Sequence, residues 1–458
     1  MKTKTKIKAA IIAGIGLSAP FLANPGVYAA SPSISINDGT YDLYVASGSQ
    51  SSTDGTASYD SSSNMLTLNG FNGDDIVISG LTSLKINLIG DNTLSMNTTD
   101  DLNVPRGISA SNVELLFGGT GSLTIDQSSV PGFSSSAAAV YAGSITVESA
   151  TLNIKAPIKT CLSSLNNWIT SGAVGSITIN SGNLDLACNT AMQSENIVVN
   201  GGNTIIDGAL SSVATMSKNL TVNDGQLVVN AESINLGSAM TFYGDVEFKG
   251  GETNIHGGQY GIDFTNLSGT LGDIGHFAIS GGILNIDQVG GGIHIDDANA
   301  NSYMEFAGGT TTIDAKYRVA EIIYGAENSK NILIGSNMNL FPSNSSVAME
   351  HKDYSGVYEE YIYYLAAEGK AVTKAIITNQ NISPAPDDNK DEIIVPDTAT
   401  DTTSDKQSST PTKKAPNTGV STEETNQMIS IFSIVPAVVV SVLGLITFLR
   451  ARKSIKFD

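Results

Sequence analysis

Between residues 144 and 313 the chain repeats one eleven-residue arrangement of apolar and polar positions: polar–apolar–polar–apolar, a polar residue, a small residue, glycine, then a second alternating pair. The copies are SITVESATLNI from Ser144, SITINSGNLDL from Ser176, NIVVNGGNTII from Asn196, NLTVNDGQLVV from Asn219, DVEFKGGETNI from Asp245, HFAISGGILNI from His276 and YMEFAGGTTTI from Tyr303. Looser relatives begin at Leu84 and Val113. Apolar residues alternating with polar ones predict short strands with one buried face. Periods of roughly 20–50 residues mark solenoids and arrays. Gly182, Gly202, Gly225, Gly251, Gly282 and Gly309 hold the seventh position, where only the first copy has Ala150. A residue without a side chain between two strands predicts a corner of positive φ or crowded backbone. No helical periodicity separates the copies. The pattern therefore predicts an all-β chain folded as a right-handed parallel β-helix. Ile145, Ile177, Ile197, Leu220, Val246, Phe277 and Met304 should stack in one interior column.

Short apolar pieces between the copies, among them Ala138–Tyr141, Thr190–Met192, Gly261–Phe264, Gly292–Ile295 and Glu321–Tyr324, read as a third strand per coil. Position five holds Asn180, Asn200 and Asn223 in three consecutive copies, which in register would form an amide ladder. The solenoid domain is expected over residues 30–380. Within it, 34–80 cap the N-terminal coil, 81–340 form coils and 341–380 form the C-terminal cap, because bare coil ends would expose strand edges. Residues 381–414, rich in Pro, Ser, Thr and Asp, are expected to be a disordered stalk.

The two ends carry signals of their own. Lys2, Lys4, Lys6 and Lys8 precede an apolar run and the small-residue pattern Val27-Tyr28-Ala29, which predicts a secretory signal peptide over 1–29. Residues 428–449 are apolar enough for a transmembrane helix, and the basic tail 450–458, with Arg450, Arg452, Lys453 and Lys456, should keep that end cytoplasmic. Before the helix stands Ala415-Pro416-Asn417-Thr418-Gly419. The order Pro-x-Thr-Gly, apolar helix and basic tail resembles the sorting signal of sortase substrates in Gram-positive-type bacteria. That resemblance implies cleavage between Thr418 and Gly419 and attachment to the cell wall. Ala415 departs from the usual leucine, so the helix can instead serve as the anchor.

Charge narrows the partners. The formal net charge is −20, and apart from the basic ends only Arg106 and Arg318 are arginines. Reading phosphates takes clustered Lys and Arg, so nucleic acid is excluded as a partner. Cys161 and Cys188, the two cysteines, form a disulfide outside the cell or remain two buried thiols. No Cys/His spacing suits a structural zinc. No cofactor is called for, though calcium is conceivable: Asp287, Asp296 and Asp297 are candidate oxygen ligands, with His294 beside the last two. A His flanked by acids sits more often on a solvated corner.

Chemistry on the coils is sparse. Acidic pairs occur at Asp74-Asp75, Asp100-Asp101 and Asp296-Asp297, but there is no Gly-His-Gly and no Arg-x-Lys of the polygalacturonase kind, so the chain is not expected to be an enzyme. A polysaccharide lyase or hydrolase stays as a secondary alternative, with Lys316 and Arg318 the only basic pair near a coil edge. Trp168, the single tryptophan, stands beside Asn166 and Asn167 in a long insert. That loop offers an apolar face and amides to a sugar, unless Trp168 folds inward as a plug.

The alternation of inserted motif and extra strand, with the opening YDLYVASGSQ…ASYDSSSNMLTLNGFNG, resembles the bacterial surface family of carbohydrate-binding β-helix domains over residues 34–380. The resemblance implies a non-catalytic module that binds polysaccharide or another cell's surface. The alternative is a rigid spacer or protein-binding stalk without a sugar site.

Overall fold

The computed structural model describes residues 31–36, 41–95, 107–128, 138–164, 175–210, 217–231, 237–264, 275–298, 301–328, 331–354 and 359–380. All belong to the first of two compact units, Met1–Ile393. The expected signal peptide, stalk, sorting motif, transmembrane helix and basic tail lie outside the described residues. What is described is all-β, built of long ladders of parallel strands.

Each copy of the eleven-residue pattern supplies one strand to each of two stacks. In the first stack the expected column holds: Ile145 pairs in register with Ile177, Ile177 with Ile197, Ile197 with Leu220, Leu220 with Val246, Val246 with Phe277 and Phe277 with Met304. The column extends back through Leu115 to Leu84 and forward to Ile332. Every member is buried. Beside it runs a second buried column holding Phe248, Ile279 and Phe306, and Phe277 of the first column packs its ring, tilted, against both Phe248 and Phe306.

The second stack carries Leu94, Ile125, Ile154, Leu186, Ile206, Val229, Ile255, Ile286 and Ile313 in register. Further strands described between these pairs build a third stack. Ile76, Ile108, Val140, Leu162 and Met192 pair along its first part. The strands Met240–Phe242, Tyr260–Phe264, Gly291–Ala298 and Ala320–Tyr324 form its last part.

At the turn between first and second strands Gly202 has φ +80°, and a Cβ there would stand 2.6 Å from the Gly182 carbonyl oxygen one coil below. The seventh position is glycine both because L-residues avoid that conformation and because the coils touch there.

Polar ladders follow the apolar columns. Asn200 Nδ2 donates to Asn180 Oδ1 at 2.8 Å and Asn223 Nδ2 to Asn200 Oδ1 at 2.7 Å, while Asn180 Nδ2 reaches Glu148 at 3.0 Å. Position one has its own series: Asn219 Nδ2 donates to Asn196 Oδ1, and the backbone amides of Asp245 and His276 donate to Asn219 Oδ1 and Asp245 Oδ1.

Antiparallel strands border the parallel ladders. Ser33–Ile36 pairs with Ile76–Ser79 and Ala57–Asp60 with Met65–Asn69 at the start. At the other end Lys374–Thr378 pairs with Thr310–Ala315, and the hairpin Ser345–Asp353/Glu359–Ala367 adds to Ala320–Tyr324.

Candidate functional site

The corner between the second and third stacks carries an open, shallow recess with mixed chemistry. Along the strands Ile283–Val289 and Thr310–Ala315 the register slips between Ile286 and Val289, so one extra residue is accommodated on the earlier strand. Such bulges re-aim side chains. Here the bulge presents Gln288, exposed and at φ +56°. Below it lies a shallow groove of about 520 Å³ lined by Asp287, Gln288, Val289, Gly290, Asp314, Ala315 and Lys316.

Tyr317 borders this groove and is 60% exposed, the most exposed large apolar side chain among the described residues. Its amide donates to the Gly290 carbonyl at 2.9 Å, which sets it one coil above Gly290. Gly290 lies against the coil before it, where a Cβ would stand 2.5 Å from the Gln259 carbonyl oxygen, and the same position is 3.5 Å from Tyr317 Cε2, which places the ring edge beside Gly290. Lys316 Nζ stands 5.1 Å from the ring centroid. The acids of the groove are paired: Asp287 Oδ1 with His256 Nδ1 at 2.5 Å, and Asp314 with Lys374 Nζ at 2.8 Å. With Lys316 and Lys374 set against Asp287 and Asp314, the recess is close to electrically neutral although the chain is acidic. In the sequence Lys316 stands out only as a basic residue near a coil edge. The signal for Tyr317 was its place at the turn where the coil before has glycine.

The expected oxygen ligands do not share one sheet. Asp287 is in the second stack with His256, whereas Asp296 is exposed on the third. The Asp297 side chain lies outside the described residues. Among the described residues no group of three or more His, Cys, Asp or Glu side chains is arranged to hold a metal ion. Trp168, Asn166 and Asn167 also lie outside the described residues, as do Ala415, Pro416, Asn417, Thr418 and Gly419.

His294 is placed differently from a solvated corner residue. On the outer row of the third stack Thr241, Asp263, His294 and Glu321 follow one another in register over four coils. Asp263 and His294 are more than nine-tenths buried. His294 Nδ1 lies 2.8 Å from Asp263 Oδ1, and its Nε2 lies 3.7 Å from Glu321. Tyr260 stacks on the imidazole at 4.2 Å with nearly parallel planes. Arg318, three residues before Glu321, extends the network, binding Glu321, reaching Glu350 of the C-terminal hairpin at 3.1 Å and lying 4.3 Å over the ring of Tyr364, the register partner of Glu321. Burial pulls the His294 pKa down, but the hydrogen bond and charge of Asp263, with Glu321 and Asp296, carry it above the ordinary histidine value. The acids that matter are thus one coil before and one coil after, where aligning the third-strand pieces would have put them. Adjacent Asp296 adds only its charge. This row is a buried structural network: it offers an incoming molecule little surface.

Cys161 and Cys188 stand on consecutive coils with Cα atoms 5.9 Å apart and their sulfurs bonded, both buried among the core side chains. That separation is usual for a disulfide.

Compared with protein-family models, with curated proteins and with solved structures, the chain finds no match.

Proposed function

We propose that this chain is an exported surface protein that binds neutral polysaccharide without turning it over, through the lateral groove beside Tyr317. In this reading the coils close as a right-handed parallel β-helix held outside the cell. The segment 1–29 directs export. The stalk 381–414 and the sequence Ala415–Gly419 with the helix 428–449 provide the tether, either by sortase cleavage after Thr418 or by the helix itself.

The observation that carries the binding assignment is an exposed aromatic ring bordering a shallow, charge-balanced groove with an amide, carboxylates and an ammonium on its walls. A sugar ring presents an apolar face to stack and a rim of hydroxyls to hydrogen-bond, and this recess offers partners for both. Its open form suits a chain ligand that runs on past the site. A single site of this size binds weakly, and many tethered copies would compensate, because the second contact of a multivalent pair is made at high effective concentration. The insert around Trp168 is a second candidate contact.

Retention of the purified full chain on insoluble neutral glucan, xylan and mannan, and on anionic pectate with calcium or with chelator, tests the assignment. Retention by a neutral polysaccharide regardless of calcium is expected. Retention only by pectate with calcium would replace the neutral ligand with a cation-bridged acidic one through Asp287, Asp296 or Asp297. No retention by any of them would leave a rigid spacer lined with amide ladders.

A further inference from the structure

Gln288 occupies a backbone conformation that costs it something. Its φ of +56° is one of only four positive values for a residue other than glycine among the described residues. The coil before shows what belongs there: His256 pairs with Asp287 in register, Gly257 follows at φ +81°, and the amides of Gly290 and Gly291 donate to the carbonyls of Gly258 and Gln259. Gln288 therefore stands where the preceding coil has Gly257. The coil after has no counterpart, since Asp287 falls beside Asp314 and Val289 pairs with Ala315. Left-handed backbone in a long-chain residue is disfavoured and is retained mainly where it serves a site.

What the conformation achieves is exposure. Gln288 lines the groove from a bulge, in sequence between Asp287 and Gly290, which line it too, and the edge of the Tyr317 ring on the next coil lies beside Gly290. Glutamine carries a carbonyl acceptor and an amide with two donors on one planar head. Those can engage two neighbouring hydroxyls at once, one as acceptor and one as donor. The aromatic ring cannot choose among sugars, because each presents some apolar face. Selectivity must come from the polar head beside it.

We infer that Gln288 is the specificity-determining residue of this groove, its left-handed bulge holding the amide toward a pair of adjacent hydroxyls on a neutral sugar ring stacked on Tyr317. The inference rests on the polysaccharide-binding reading, and it adds that a glycan with one of the two hydroxyls substituted is rejected. The strain has a corollary: the residue best for the backbone here is glycine, so stability and binding should separate at this position.

The test uses the full chain and the neutral polysaccharide panel, with three proteins: wild type, Gln288→Gly and Tyr317→Ala. Gln288→Gly should melt no lower than wild type, because it removes the left-handed strain, while its retention falls about tenfold, the loss of one good polar contact. Its ranking of glucan, xylan and mannan should flatten. Tyr317→Ala should lose retention on all of them alike. If Gln288→Gly binds as wild type does with the same ranking, and Tyr317→Ala does not bind, the role of Gln288 is overturned and the groove stands. If wild type is not retained by any polysaccharide, the groove assignment fails and this inference with it. A Gln288→Gly protein that melts clearly lower than wild type would show that the amide serves the fold instead of a ligand.

Discussion

His294 Nδ1 lies 2.8 Å from Asp263 Oδ1, one coil away, and this pair is nearly sealed from water by the face of Tyr260. A histidine whose folded pKa is raised above its unfolded value, about 6.5, stabilises the fold most when pH is below that value. The contribution is lost as pH rises through the folded pKa. Thermal melts of wild type and His294→Gln between pH 5.5 and 9 should show the largest gap at the acid end, narrowing above neutrality. A gap that widens with pH would reverse the assignment.

Thr253 shows an uncompensated hydroxyl in the core. Thr204, Thr253 and Thr311 sit in the interior row of the second stack, alternating with Leu227 and Leu284, and none of their hydroxyls has a hydrogen-bond partner. An unsatisfied buried polar group costs about 1–3 kcal/mol, and valine keeps the branched shape. Thr253→Val should stabilise the domain by about 1 kcal/mol, read as a higher urea midpoint at unchanged slope.

Gly202 and Gly118 form a matched pair. At Gly202 an added methyl meets both the φ of +80° and the Gly182 carbonyl, whereas at Gly118 nothing lies within 4 Å and φ is ordinary. Gly202→Ala should cost about 2 kcal/mol or more, and Gly118→Ala close to nothing. Equal effects in chemical denaturation would contradict the tight corner.

Ile197 lies in mid-column between Ile177 and Leu220, fully out of reach of water, while Thr178 faces outward on the neighbouring strand. Ile197→Asp should open the adjacent coils to proteolysis, since burying an unpaired carboxylate costs several kcal/mol on top of the lost apolar burial. Thr178→Asp should leave the digestion pattern unchanged.

The two columns of the eleven-residue pattern were legible because burial alone dictates alternation and the glycine marks the corner. Register across coils followed from aligning the copies, and with it the ladder of Asn180, Asn200 and Asn223. The site was much less legible. Tyr317, Gly290 and Gln288 are far apart in meaning until the bulge after Ile286 is known, and a bulge is a local slip that no periodicity announces. His294 was misplaced for a related reason. Its nearest acids in sequence are Asp296 and Asp297, while the partners set by stacking of the third strand are Asp263, which hydrogen-bonds it, and Glu321, whose charge faces its Nε2 at 3.7 Å.

The central claim is tested most directly at Tyr317. Titration of wild type and Tyr317→Ala against the soluble form of whichever neutral polysaccharide retains the chain should give at least a tenfold weaker Kd for the variant, with no sugar released in either case. A stacking contact is worth about 0.5–1.5 kcal/mol beyond the apolar area it buries, and the two together reach the roughly 1.4 kcal/mol of a tenfold change. Equal Kd values, with the two proteins melting at the same temperature, would contradict the account.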